Sequence, residues 1–326
     1  MKKTYSISDF DVVYISYDEP NAERNWADLL SKCPWAKRVH GVKGFDAAHN
    51  EAGKIAERPR LVTVDGDNRV YADFFKQQIE IDEEEQKDFI FSWCGHNVVN
   101  SLAYGNGGLK LWPKHIIENM NSHENDQSED GAHSVDFCWM HTYFQMADTW
   151  SDVCINETAE QAYRGGFREG VKMSLDRGIL PPKNKFLQQN HIKNLQRLSI
   201  WCSVGMDIEY GDYAILGARE AVTLINLEGW DHTHIADYEY MQPFVKEKIK
   251  RYEDRAVRRE AIRHYGERLR NELHFRIADF DDQGSIWFKS VYQNPKRFGV
   301  MITEQEADKK KKIWAKKITS QLKQVK

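Results

Sequence analysis

The chain has 326 residues, of which 41% are hydrophobic, 12% aromatic and 29% charged. That is the composition of one or two globular domains and excludes a disordered or fibrous chain. No apolar run reaches the ~20 residues of a membrane span, and Met1-Lys2-Lys3-Thr4-Tyr5-Ser6 has no apolar stretch behind it, so neither a membrane partner nor a secretory leader is expected, and the location expected is cytoplasmic. The net charge of -4 hides an asymmetry: residues 241–326 carry 22 Lys+Arg against 12 Asp+Glu, and the first 240 carry 24 against 38. An acidic body with a basic end suggests two kinds of partner. Cys33, Cys94, Cys138, Cys154 and Cys202 are scattered, with no C-x-x-C pair, as reduced thiols are.

In chain order, the apolar run Asp11 to Tyr17 predicts a buried strand, ended by Asp18-Glu19-Pro20-Asn21, with a helix from Ala22 to about Ser31. Arg38 to Val42 predicts a second strand and Ala47 to Ala56 a second helix. Leu61-Val62-Thr63-Val64 predicts a third strand, stopped by Asp65-Gly66-Asp67-Asn68. This alternation is that of a mostly parallel, doubly wound α/β sheet flanked by helices. Phe89 to Trp93 reads as a further strand. Asn119 to His133 is almost free of apolar residues and reads as a mobile loop of the kind that carries function. Thr158-Ala159-Glu160-Gln161 is a capping box that starts a helix running to Gly178. Asp212 to Asn226 reads as strand-rich. Beyond Pro243 the chain is basic and helical, with Ile262, Tyr265, Leu269 and Leu273 at helical spacing.

Asp65-Gly66-Asp67 is the strongest chemical signal. Two carboxylates flank one small residue at the carboxyl edge of the sheet, where open α/β sheets bind ligands. Alternation sends both side chains to one side, and a hard divalent cation, Mg²⁺ or Mn²⁺, relieves their repulsion and bridges to phosphates. The competing reading is an ordinary strand-to-turn junction, since Asp-Gly is common turn chemistry.

Asp11 to Glu19, Gly41-Val42-Lys43-Gly44-Phe45-Asp46-Ala47-Ala48-His49-Asn50 and Val64-Asp65-Gly66-Asp67 together resemble the donor half of a GT-A glycosyltransferase. With Tyr104 to Leu111, Tyr163 to Lys172 and Ile215 to Arg219, the pattern is similar to the phage TET/JBP-associated DNA glycosyltransferases, relatives of the base J glucosyltransferase. The resemblance implies a GT-A-like domain over 1–240, with a donor half at about 9–110 and an acceptor half at about 111–240. Residues 241–326 form a separate basic helical region that matches no family. It implies a nucleotide-sugar donor, UDP-linked, and an acceptor 5-hydroxymethyl-pyrimidine, cytosine or uracil, in DNA. Ser16, Tyr17, Asp18 and Glu19 would hold the base and ribose, Lys43, His49 and Asp65 the rest of the donor, and Asp65 and Asp67 the metal.

The same residues have plainer readings. Tyr17 to Glu19 could be a capped strand end, His49 and Lys43 a helix-surface histidine and a solvated lysine, and Asn106-Gly107-Gly108 a hairpin turn or a glycine loop beside the sugar. Trp93 and Trp112 suit a core or a sugar-binding face. Inverting transfer needs a base, for which Asp136 is the candidate, with a helix N-cap as its alternative. A histidine from His133, His141, His232 or His234 would complete the metal shell, whereas Cys138-x-x-His141 lacks the second ligand pair of a zinc site. Arg164, Arg168 and Lys172 share a helix face that either clamps phosphates or is solvated with Glu160 paired to Arg164. Lys246, Lys248, Lys250, Arg251, Arg255, Arg258, Arg259 and Arg263, with Lys309 to Lys312, are the expected DNA contacts. The competing functions are a glycosyltransferase with a polysaccharide or other non-DNA acceptor, and a non-catalytic nucleic-acid-binding accessory protein.

Overall fold

The computed structural model describes residues 2–121 and 142–293. Asp136, His133, His141, Cys138, the loop from 122 onward and Lys309 to Lys312 lie outside them.

The strands are β1 (Lys2–Ser6), β2 (Asp11–Ser16), β3 (Lys37–His40), β4 (Arg60–Asp65), β5 (Asn68–Val70), β6 (Gln78–Asp82), β7 (Ile90–Asn97), β8 (Ala103–Pro113) and β9 (Tyr143–Val153). The helices are α1 (Ala22–Lys32), α2 (Phe45–Ile55), α3 (Lys114–Ile117), α4 (Ala159–Ser174), α5 (Phe186–Gln189), α6 (Ile192–Trp201), α7 (Gly211–Leu227), α8 (Tyr238–Arg251), α9 (Arg255–Glu272) and α10 (Asp282–Gln293). Among the described residues, seven strands form one mixed sheet in the order β3-β2-β4-β8-β7-β9-β5, and β1 pairs with β6 alone. The first five elements after β1 appear where the apolar alternation puts them. Val12, Tyr14, Val62 and Val64 pack with Leu29 and Cys33 of α1, while Val13 and Leu61 pack with Ala52 of α2. Successive strand residues thus bury opposite faces, each under its own helix.

The sheet is not mostly parallel. β3-β2, β2-β4 and β7-β9 are parallel, whereas β4-β8, β8-β7 and β9-β5 are antiparallel. The link from Val98 to Leu102 is too short for a crossover, so β7 and β8 can only pair as a hairpin. Asn106-Gly107-Gly108 lies inside β8 and is neither a turn nor a loop. A Cβ on Gly107 would stand 1.9 Å from the Gly95 nitrogen of β7, so this stretch serves strand packing.

Asp212 to Asn226 is helical, as part of α7, and not strand-rich. Apart from Arg219 and Glu220, its central residues are mostly apolar or small, a pattern shared by a buried strand and a buried helix. The distinction comes from α4, where a Cβ on Gly166 would lie 1.9 Å from the Ala214 carbonyl and one on Gly170 2.7 Å from that of Ala218. Two backbones in such contact bury α7 on all sides. α4 is capped as expected by Thr158, whose Oγ1 accepts the Gln161 N–H at 3.1 Å, but Gln161 reaches back to the Glu157 N–H at 3.0 Å instead of that of Thr158. The helix ends at Ser174, short of Gly178.

Position 240/241, the expected domain boundary, falls inside α8, and Pro243 sits exposed in that helix. Met241, Val245, Ile262, Leu269 and Leu273 share one core with Tyr163, Phe167, Ala214 and Val222. The basic residues after position 240 also divide. Lys248 pairs with buried Glu220 at 2.5 Å, Arg258 with Asp212 at 2.7 Å, and Arg263 with Glu260 and Glu267. Lys246, Lys250, Arg251, Arg255 and Arg259 are exposed and form no ion pair with the described residues. Cys33, Cys94, Cys154 and Cys202 are free thiols. No helix of the described residues is long and apolar enough to cross a membrane.

Candidate active site

The parallel strands β2 and β4 end side by side at Ser16 and Asp65, with Ile15 opposite Asp65. The chain leaves β4 through Gly66, whose carbonyl accepts the Tyr14 hydroxyl at 2.6 Å and the Asn25 amide at 3.0 Å. These buried bonds fix the Asp65-Gly66-Asp67 corner. The Glu19 carboxylate lies against it, 2.7 Å from where a Cβ on Gly66 would be, and only glycine leaves it that room. Glu19 in turn accepts the Tyr17 N–H at 2.8 Å.

Three carboxylates therefore share one edge. Burial, then the charges of Asp65 and Glu19, push Asp67 up to about 7, against the bond that Asn68 donates to its Oδ1 at 2.7 Å. Asp65 is the more open of the pair and lies 3.7 Å from the buried Lys110 ammonium. Among the described residues no group of three His, Cys, Asp or Glu side chains converges on one point. Asp65 and Asp67 could offer a cation two hard carboxylates. That suits a Mg²⁺-like ion, which takes one or two carboxylates and fills the rest of its shell with phosphate and water.

His49 is not a surface residue. It is buried on α2, its Nδ1 hydrogen-bonds the Phe45 carbonyl at 2.9 Å, and its ring lies against Phe45 and Trp112. Burial, opposed by Asp65 and reinforced by Lys110, lowers it to about 4, so it is neutral at pH 7. With Nδ1 as donor, Nε2 carries the lone pair, and it has no hydrogen-bond partner among the described residues. Trp112 donates to Thr63 Oγ1 at 2.9 Å, and Trp93 is buried against Phe74, so both tryptophans are core residues.

Of the other sequence-derived candidates, Tyr17, Asp18, Lys43 and Arg164 gather at the start of α8. Ser16 is buried and bound by Arg38 and His40 at 3.0 Å each. Tyr17 and Asp18 are exposed, and both meet Tyr238 at the start of α8: the Tyr17 and Tyr238 rings are edge to face at 6.2 Å, and the Tyr238 hydroxyl donates to Asp18. Lys43 pairs with Glu239 at 2.7 Å. Arg164 lies 4.8 Å over the Tyr238 ring and forms no pair with Glu160. One turn on, exposed Arg168 lies close enough to Asp67 to favour its ionised form. Lys172 approaches Glu169 at 3.8 Å. His234 stacks flat on Tyr240 at 4.0 Å.

Tyr238 and Glu239 are site residues that the sequence pattern does not reveal. They lie 220 and 196 residues from the side chains they bind, at the head of a helix that the charge pattern assigns to another region. The carboxyl edge thus offers an acidic corner, an aromatic pair of which Tyr17 is exposed and Tyr238 half-buried, and cations on α4. Such a set can hold a metal-bridged diphosphate and a planar base at once.

No protein-family model matches the sequence, and no curated protein matches it.

Proposed function

We propose that this protein is a metal-dependent glycosyltransferase of the GT-A type that moves a sugar from a nucleotide-sugar, UDP-linked, to 5-hydroxymethyl-pyrimidine in DNA. The observation that carries the reading is the convergence of Asp65, Asp67, Tyr17, Asp18 and Arg168 on the carboxyl edge of β2 and β4. Three segments separated in sequence meet there with the groups a nucleoside diphosphate requires.

Asp65 and Asp67 would hold Mn²⁺ or Mg²⁺, which when bound neutralises the diphosphate leaving group. Tyr17, with Tyr238 across from it, forms the aromatic surface for the base, and Asp18 is placed to accept from its N–H or from a ribose hydroxyl. Arg168, exposed beside Asp67, supplies a positive charge for the phosphates. Buried neutral His49 orders the floor of the edge between Phe45 and Trp112 and carries no charge to the donor.

The acceptor class rests on the motif resemblance together with Lys246, Lys250, Arg251, Arg255 and Arg259, exposed cations that sequence-independent contact with a DNA backbone would use. A base in a duplex must leave the stack to reach the edge. The test is incubation with a panel of nucleotide-sugars, Mn²⁺ and duplexes containing 5-hydroxymethylcytosine or 5-hydroxymethyluracil, followed by mass analysis of the nucleosides. The reading requires one glycosylated nucleoside. Transfer only to a non-DNA acceptor would overturn the DNA assignment, and no transfer with any donor would overturn the enzyme assignment.

A further inference from the structure

We propose that His96 and Asp152 form the general base of the reaction, an inference that rests on the transferase reading above. The two residues face each other on parallel neighbours β7 and β9, and His96 Nδ1 lies 2.9 Å from Asp152 Oδ1. The carboxylate is fixed from two further directions. The Tyr71 hydroxyl donates to the same Oδ1 at 2.7 Å, and Arg69 Nη2 stands 3.5 Å from Oδ2. Burial works against the ionised carboxylate, but the bonds from His96 and Tyr71 outweigh it and hold Asp152 below the usual carboxylate range. An ionised carboxylate on Nδ1 makes that nitrogen the N–H donor and leaves the lone pair on Nε2. Among the described residues, Nε2 makes one hydrogen-bond contact, a long one with the Gln293 amide at 3.5 Å, at the end of α10. Both side chains of the dyad keep about a quarter of their surface exposed (26% and 24%), within reach of a substrate.

Register sets the dyad beside the acidic corner. Arg69 pairs with Asp152 and Asn68 with Val153, and the next bond, Cys154 N–H to the Asp67 carbonyl at 2.8 Å, brings Asp67 opposite Cys154. Asp152 is two residues from Cys154, so Asp67 and Asp152 are diagonal neighbours across one strand pair, about 7–8 Å apart. The His96 Nε2 lone pair takes the proton of the acceptor O–H. The oxygen's electron pair forms the new bond to the anomeric carbon, and the bond from that carbon to the diphosphate breaks, its pair leaving on the nucleoside diphosphate. The imidazolium then returns its proton to water. Asp152 is a positioning residue that holds the tautomer, as the carboxylate of a hydrolase triad does.

The test uses the full chain, a 5-hydroxymethylcytosine duplex, the active nucleotide-sugar and Mn²⁺. His96→Ala should lower kcat by about 10²–10⁴-fold. Its affinity for UDP with Mn²⁺ should stay within about twofold, since the base touches the acceptor. Imidazole in the buffer should restore part of the rate to His96→Ala or His96→Gly, a response that a merely structural role would not give. Asp152→Asn should lower kcat by at least about tenfold, without rescue by imidazole, because its histidine is present but misdirected. Normal kcat in His96→Ala, loss of UDP affinity in parallel with kcat, or no rescue in either small variant would each overturn the dyad. A wild-type protein that binds UDP and transfers sugar while His96→Ala transfers equally well contradicts this inference alone. A wild-type protein that neither binds UDP with metal nor consumes any donor contradicts the transferase reading and the dyad with it.

Discussion

The helical half and the carboxyl edge of the sheet both bury charge, and they treat it in opposite ways. Arg219 of α7, 1% exposed, donates to the carbonyls of Cys202, Ile262 and Ala278 and to Asp279, each at 2.7–2.8 Å. Buried Glu220 beside it accepts from Lys248, Tyr163 and Tyr265. These side chains tie α8, α9 and the segment after α9 to one helix. At the sheet edge, Asp65, Asp67 and Glu19 crowd one corner whose partners are the Asn68 amide, the Tyr17 N–H and the Lys110 ammonium at 3.7 Å, and His49 Nε2 has none among the described residues. Buried polar groups that are fully bonded hold a fold together. Buried groups of like charge placed side by side cost stability, and that cost is retained where a ligand uses it.

The sharpest way to break this comparison is to remove one charge from each region. Arg219→Ala strands three carbonyls in the core and should lower unfolding free energy by about 3–5 kcal/mol, read by denaturant titration, with the sheet edge untouched. Lys248→Met leaves Glu220 with tyrosine donors only and should cost about 2–3 kcal/mol. Asp67→Asn should do the reverse and stabilise the metal-free protein at pH 8 by an amount on the order of 1–2 kcal/mol. The sign follows from the raised pKa. The folded state holds the Asp67 proton up to about pH 7, whereas an unfolded aspartate releases it near 4, so native stability at this site is lost as pH rises through that window. Below about pH 4 the carboxyl is protonated in both states and Asp67→Asn should be close to neutral. A substitution that destabilises equally at both pH values would mean that the corner is not strained by charge. The smallest effect belongs to Tyr238→Ala, which removes one aromatic face from the Tyr17 pair. It should weaken UDP binding by up to about tenfold with little change in thermal midpoint, whereas tighter binding would make Tyr238 a plug and not a clamp.

The two regions also differed in how much the sequence disclosed. β2, α1, β3, α2 and β4 are local units, each with its own apolar period and punctuation, and the carboxylates of Asp65 and Asp67 follow directly from the last strand. α7 escaped because a helix buried on all sides has no period, and its identity rests on Gly166 and Gly170 of another helix. The antiparallel part of the sheet depends on the Val98–Leu102 link, which carries no strong turn signal. Tyr238, Glu239, His96 and Asp152 owe their places to contacts across 56 to 220 residues. His96 and Asp152 each stand alone in sequence, and only strand register makes them a pair. The charge tally after position 240 overstated a free basic surface, because it counted Lys248, Arg258 and Arg263 before their carboxylate partners were in view.

The central claim is that Asp65 and Asp67 hold a metal on which a nucleotide-sugar is activated. It is tested most directly by the slow release of free nucleotide from nucleotide-sugar donors, without acceptor, with Mn²⁺ and with chelator. The account predicts release from at least one donor in the wild-type protein with Mn²⁺, its loss with chelator, and a fall of about 10²-fold or more in both Asp65→Ala and Asp67→Ala with the fold intact. Release that persists at the wild-type rate in both variants, or no release from any donor under either condition, would contradict it.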